Sequence, residues 1–187
     1  MTLTVLDPRT ALVVVDLQKG ILTLDTARPA MEVIEMAGTL AGTFRRHGLP
    51  VVLVNAAGGA PGRTERPFRG GPRPTDATEL VPELHQQPTD HLVTKRTWGS
   101  FMNTDLDVYL KGLGVTQVVV VGIATSAGVE STARQAHEHG YNVTLAVDAM
   151  TDMSADAHEN SVTRIFPRLG QTGTTAEIIE LLATRPD

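Results

Sequence analysis

Three places in this 187-residue chain carry groups able to do chemistry: Asp16 at the end of ALVVVD, Lys95 in TKRTW, and the turn Gly122–Gly128 in VVVVGIATSAG. A carboxylate at a strand end can take and return protons, and a lysine beside it holds it ionised in the resting state. A turn from a buried strand into a helix aims backbone N–H groups at one spot above a sheet, where an anion or oxyanion can sit. Such a turn presents its nucleophile at the helix start, and here that position is Gly128, which has no side chain. The chain has no cysteine, which excludes disulfides, thiolate zinc sites and thiol chemistry. Ser126 is a poor substitute nucleophile, because it lies two residues away and no histidine is positioned by sequence to activate it.

The elements that must position these groups follow from pattern. Ala11–Asp16, Pro50–Asn55, His91–Thr94, Gln117–Gly122 and Asn142–Asp148 read as strands. Pro29–His47, Asn103–Gly112, Ala127–His139, Ala155–Phe166 and Thr174–Ala183 read as helices. The strands are continuous Val/Leu runs that alternate with helices, which predicts an α/β fold with a parallel sheet covered on both faces. An open sheet of this kind places its site beyond the carboxyl ends of its strands. Asp16, Lys95 and the Gly122–Gly128 turn all fall at that edge. Each also has a plainer reading: Asp16 as a turn cap, Lys95 as a solvated strand-end charge, Gly128 as a concession to close helix packing.

Length predicts one domain over residues 1–187. The net charge of −5 gives no general attraction to nucleic acid or anionic membrane. No apolar run is long enough to span a bilayer, and no signal peptide is evident, so a cytoplasmic protein is expected. The histidines show no ligand spacing and no metal is expected. Ala56–Thr75 reads as a long Gly/Pro loop in which Arg63, Arg66, Arg69 and Arg73 form either a solvated surface or a lid for carboxylates. Asn160 and Ser161 read as capping or packing residues, with ligand binding in a neighbouring site as the alternative.

The segments ALVVVDLQKG, TKRTWGSFMNTDL, VVVVGIATSAGVESTARQAHEHGYNVTLAVDAMTD and HENSVTRI together resemble the isochorismatase-like hydrolase family, or cysteine hydrolase superfamily. The resemblance runs from about Thr10 to Leu182. It implies a three-layer α/β/α domain with a six-stranded parallel sheet in the order 3-2-1-4-5-6, a homo-oligomer, and no cofactor. It also implies Asp16 as acid/base carboxylate, Lys95 as its lysine, and Gly128 in place of the family cysteine. A cis peptide between Ile123 and Ala124 and oxyanion donors at the N–H groups of Ala124 and Gly128 are implied as well. In that pattern Trp98, Phe101, Ile123 and Ala124 line the substrate pocket.

The true isochorismatases likewise carry glycine at the cysteine position; there the aspartate protonates a vinyl ether carbon and water completes the release of pyruvate. This chain departs from them at Ala124, where they have an aromatic residue, and at Ser126, where they have histidine. It also lacks the nicotinamidase Asp-x-His metal motif within Asn55–Gly62. It resembles cysteine-less members that share the GVESTAR and HENS stretches. The expected activity is cofactor-free hydrolysis of a small anionic molecule, a vinyl ether or a C–N bond of an amide or ureide, with water as nucleophile. The alternative is a catalytically silent small-molecule binding protein on the same fold. A flavodoxin-like nucleotide binder is disfavoured, because no Gly-rich phosphate loop follows Asp16.

Overall fold

In the computed structural model, residues 3–65 and 74–184 are described. The Val/Leu runs become β1 (Thr10–Val15), β2 (Val51–Ala56), β3 (His91–Lys95), β4 (Gln117–Ile123) and β5 (Asn142–Thr151), and Gln171–Gly173 forms β6. They make one sheet in the order β3-β2-β1-β4-β5-β6, with every pairing parallel.

Alternation along β1 shows why these strands are apolar throughout. Leu12 and Val14 pack with Ile34, Leu40 and Phe44 of α1 (Ala30–Arg46), and on that same face lie Ile178 and Leu182 of α5 (Thr175–Ala183). Ala11, Val13 and Val15 face the opposite way. They pack with Leu106 and Leu110 of α2 (Leu106–Gly112) and with Ala133 and Ala136 of α3 (Glu130–Glu138). Two hydrophobic cores therefore sandwich the sheet, as expected where both faces of a parallel sheet are covered.

Some boundaries differ from the sequence reading. β6 is only three residues long and has no apolar run of its own; it is defined by its pairing with Thr144–Ala146 of β5. α2 begins at Leu106 rather than Asn103, whose φ of 58° belongs to a turn. The helix expected over Ala155–Phe166 divides into α4 (Ala155–Asn160), a wide π-helical turn (Ser161–Ile165) and a tight 3₁₀ turn (Phe166–Arg168) containing Pro167. The order of the strands reverses between β1 and β4, and the crevice outside such a switch point is where open α/β sheets bind ligands.

Candidate active site

Strand register sets the site. Val15 lies opposite both Val54 and Gly122, and Ala56 lies opposite Lys95, so the ends of β1, β2, β3 and β4 share one edge. Asp16 follows β1 with φ of 56°, a left-handed conformation that aspartate tolerates better than most side chains. Lys95 stands two strands away, about 10 Å by the usual strand spacing. Its four-carbon stem bridges much of that gap: Lys95 Nζ lies 2.8 Å from Asp16 Oδ2 and also donates to the Trp98 carbonyl. Lys95 is 1% exposed and Asp16 8%.

The second carboxylate oxygen, Asp16 Oδ1, is buried and has no hydrogen-bond partner among the described residues. Burial raises the Asp16 pKa above its ordinary value, outweighing the Lys95 charge and the hydrogen bond from it. Lys95 acts in the direction expected from sequence, favouring the ionised form, but in this buried pair desolvation is the larger influence.

The turn after β4 crosses β1 very closely. Gly122 has φ of 124°, and a Cβ there would stand 2.0 Å from the Val15 carbonyl oxygen, so only glycine fits. The Ile123–Ala124 peptide is cis. Residues Thr125–Val129 then form a π-helical turn in which the N–H groups of Ala127 and Val129 both donate to the Ala124 carbonyl. Gly128 faces the ion pair. A Cβ on it would lie 3.0 Å from Asp16 Oδ2 and 3.1 Å from both Lys95 Nζ and Val15 Cγ1. The close neighbour that this glycine accommodates is therefore the Asp16–Lys95 pair, not another helix.

Asp16, Lys95, Gly128, Ile123, Ala124 and Trp98 all line one cavity of about 170 Å³. Phe101 does not belong to it. Its ring is 5% exposed and stacks on His139 at 5.2 Å, beside Tyr141, in the core beneath α2 and α3. The physical reason is a tertiary contact: the N–H of Phe101 donates to Gln135 Oε1 on α3, which turns this irregular stretch inward three residues after Trp98.

Arg63 is exposed, and Arg66, Arg69 and Arg73 lie outside the described residues. Ser161 donates to Glu130 Oε2 at 2.6 Å, a packing contact, and Asn160 is exposed. Among the described residues, no group of three or more His, Asp or Glu side chains is placed to hold a metal ion.

Two supporting residues escaped sequence reading. Gln18 is buried and clasps Ala56 in both directions: its Oε1 accepts from the Ala56 N–H at 2.7 Å, and its Nε2 donates to the Ala56 and Ala77 carbonyls. It thereby fixes the end of β2 in the cavity wall. Asp152, 3% exposed, accepts from both the N–H and the hydroxyl of Ser126, at 2.7 and 2.8 Å, and so anchors the π-helical turn. The Ser126 hydroxyl is thus committed to a structural carboxylate. The only sequence signal for either residue was its place within the quoted segments, DLQKG and DAMTD.

The Isochorismatase domain family model matches residues 10–177. The chain is similar to an uncharacterized isochorismatase family protein of Bacillus subtilis, YwoC, with 43% identity covering 92% of this chain and 93% of that one. It is also similar to a solved isochorismatase family protein of Burkholderia thailandensis, with TM-score 0.91, 40% identity, and coverage of 96% and 98% of the two chains. The solved N-carbamoylsarcosine amidase of Thermoplasma acidophilum is more distant, with TM-score 0.75, 28% identity, and coverage of 89% and 96%. A family model spanning nearly the whole chain, relatives matched end to end, and a sheet of order 3-2-1-4-5-6 agree: the chain belongs to the isochorismatase family.

Proposed function

We propose that the protein is a hydrolase that breaks a C–N bond of a small amide or ureide with water, not a side chain, as nucleophile. The carrying observation is the Asp16 carboxylate: the oxygen held by Lys95 stands beside Gly128, a residue with no side chain, and the other is buried without a partner among the described residues. In the first step a water O–H bond breaks and its proton passes to the Asp16 carboxylate, while the oxygen forms a bond to the substrate carbonyl carbon. In the second, Asp16 returns that proton to the leaving nitrogen as the C–N bond breaks, giving an acid and an amine. A carboxylate whose pKa is raised by burial is a better base than an ordinary one. Lys95 orients it and offsets its charge. The N–H groups of Ala124 and Gly128 would take the negative charge developing on the carbonyl oxygen. The name of the Thermoplasma acidophilum relative, an amidase, supports C–N chemistry on this fold.

A second reading is vinyl ether cleavage, which the raised Asp16 pKa also favours, since a protonated Asp16 would deliver its proton to carbon. The two differ in sign. With Asp16 as base, kcat/KM rises as pH climbs through its pKa; with Asp16 as acid, it falls. Screening amides, ureides and vinyl ethers with the wild type and Asp16→Asn tests both. The expected result is turnover that rises with pH and drops about 10²–10⁴-fold in Asp16→Asn. Full activity in Asp16→Asn would overturn the reading. Saturable ligand binding without turnover of any class would favour the silent binding protein.

A further inference from the structure

The segment after β5 braces the turn that carries Gly128, and three of its side chains bond to that turn and its continuation into α3. Asp152 accepts from the N–H and the hydroxyl of Ser126, and Ser161 donates to Glu130 Oε2. Between them His158 Nδ1 lies 2.8 Å from Thr125 Oγ1. Thr125 is fully buried and opens the π-helical turn. It shares a peptide group with Ala124, whose carbonyl receives the N–H groups of Ala127 and Val129. Whatever holds Thr125 therefore holds the residues on both sides of Gly128.

Of the three contacts, the one at Thr125 rests on a histidine, the side chain whose charge changes near neutral pH. A threonine hydroxyl this deeply buried needs an acceptor for its proton. Neutral imidazole supplies one at Nδ1 when its own proton sits on Nε2. Protonating the ring makes Nδ1 a donor, so the hydroxyl loses that acceptor and must turn its proton elsewhere in the interior. The half-buried ring borders a cavity of about 350 Å³ that Arg28, Asp156 and Glu159 also line. The charged groups that face it are Arg28 from the segment before α1, Asp152 just after β5, and Asp156 and Glu159 from α4. Burial, and next the Arg28 charge, lower the His158 pKa, outweighing the opposite pull of Asp152 and Glu159. The ring is therefore neutral at neutral pH.

We propose that His158 is a positioning residue for the oxyanion turn: its neutral ring holds the Thr125 hydroxyl and thereby the N–H groups of Ala124 and Gly128, and protonation of the ring loosens both. This rests on the reading that the amides of the turn receive the negative charge of the reacting carbonyl.

Nitrogen NMR reads the coupling without any substrate. The His158 ring should carry its proton on Nε2 at neutral pH. On acidification, the backbone N–H resonances of Ala124 and Gly128 should shift with the midpoint of the ring, below the ordinary histidine value of about 6.5. Asp16 also stands beside Gly128, and His158→Asn separates the two influences. Its carboxamide oxygen takes the place of Nδ1, so both resonances should stay at their neutral-pH positions and lose only the step that follows the ring. Thr125→Val removes the hydroxyl from the other side; the ring should still titrate, while Ala124 and Gly128 no longer follow it. Resonances that ignore the titration of the wild-type ring, the same step surviving in His158→Asn, or a ring protonated on Nδ1 at neutral pH would overturn the proposal. In turnover, His158→Phe should lower kcat at least about ten-fold with KM little changed, part of the roughly 10²–10³-fold that losing one oxyanion donor costs. His158→Asn should restore it, and an unchanged kcat in His158→Phe would count against the proposal as directly as the NMR. Coupled resonances without turnover of any substrate would defeat the reaction but leave this inference standing. Turnover with Ala124 and Gly128 indifferent to His158 would do the reverse.

Discussion

Replacing Gly128 with alanine adds one methyl group at the point where the protein is most tightly built around its ion pair. That methyl would sit 3.0 Å from Asp16 Oδ2 and 3.1 Å from Lys95 Nζ and Val15 Cγ1, a few tenths of an ångström inside ordinary contact. The neighbours are side-chain ends, but they are not free to yield. Asp16 and Lys95 hold each other at 2.8 Å, and Lys95 is also tied to the Trp98 carbonyl. Overpacking of this kind costs about 1–3 kcal/mol. Alanine regains about 1 kcal/mol over glycine in helical backbone. The net destabilisation is therefore about 0–2 kcal/mol, a fall in Tm of at most roughly 8 °C for a domain of this size. Activity should suffer far more than stability. A pair pushed aside by tenths of an ångström loses its aim at water and substrate, and misplacement by about 1 Å costs on the order of 10²-fold. Thermal unfolding together with steady-state hydrolysis of a substrate found by screening would show both effects. Carbon NMR of the Asp16 carboxyl reports the displacement without any substrate. A Gly128→Ala protein with wild-type turnover and an unmoved Asp16 resonance would refute the claim that the glycine exists to seat the pair.

Other perturbations test other parts. Gly128→Cys puts a thiol beside the Lys95 ammonium, which lowers thiol pKa; it should be alkylated by iodoacetamide at neutral pH while the wild type, having no cysteine, is not. Gln18→Ala strands the Ala56 N–H and removes a donor from the Ala56 and Ala77 carbonyls, the latter keeping the Gly20 N–H, and urea unfolding should register a loss of about 1–3 kcal/mol. Asp152→Ala releases the Ser126 turn and should cost about 1–3 kcal/mol in the same assay, with kcat falling more than KM rises. Asp16 also makes stability depend on pH. Below about pH 3.8 both folded and unfolded chains keep its proton, but between there and the raised folded pKa only the folded chain does, so this stabilisation is lost as pH rises through the folded pKa. The stability of the wild type relative to Asp16→Asn should therefore decline over that interval; a relative gain would contradict burial as the dominant influence.

What the sequence disclosed, and what it hid, follows from how each feature is encoded. Long Val/Leu runs and amphipathic helices carry their signal locally, so five strands and the edge where Asp16 and Lys95 emerge could be read directly. β6 could not, because Gln171–Gly173 has no apolar run and is a strand only through pairing with β5. Trp98 and Phe101 sit three residues apart in an irregular stretch, where no periodicity tells which ring faces the cavity and which the core. The decisive contact for Phe101 is with Gln135, 34 residues on. Gln18 depends on Ala77, 59 residues away, and Asp152 on Ser126, 26 residues back. Such pairings appear only once the chain is folded. The unpartnered Asp16 Oδ1 is of the same kind, since sequence supplies a carboxylate but not the count of its partners.

The account's central claim is that water attacks the substrate directly at a site whose glycine cannot be acylated. Its most direct test is a single-turnover reaction in ¹⁸O-labelled water, quenched with acid and followed by mass spectrometry of both protein and product. The account predicts an intact protein mass at every time point, with one ¹⁸O in the acid formed in the first turnover. A protein species heavier by the acyl group, on Ser126 or on any other side chain, that forms and decays at the rate of turnover would contradict it.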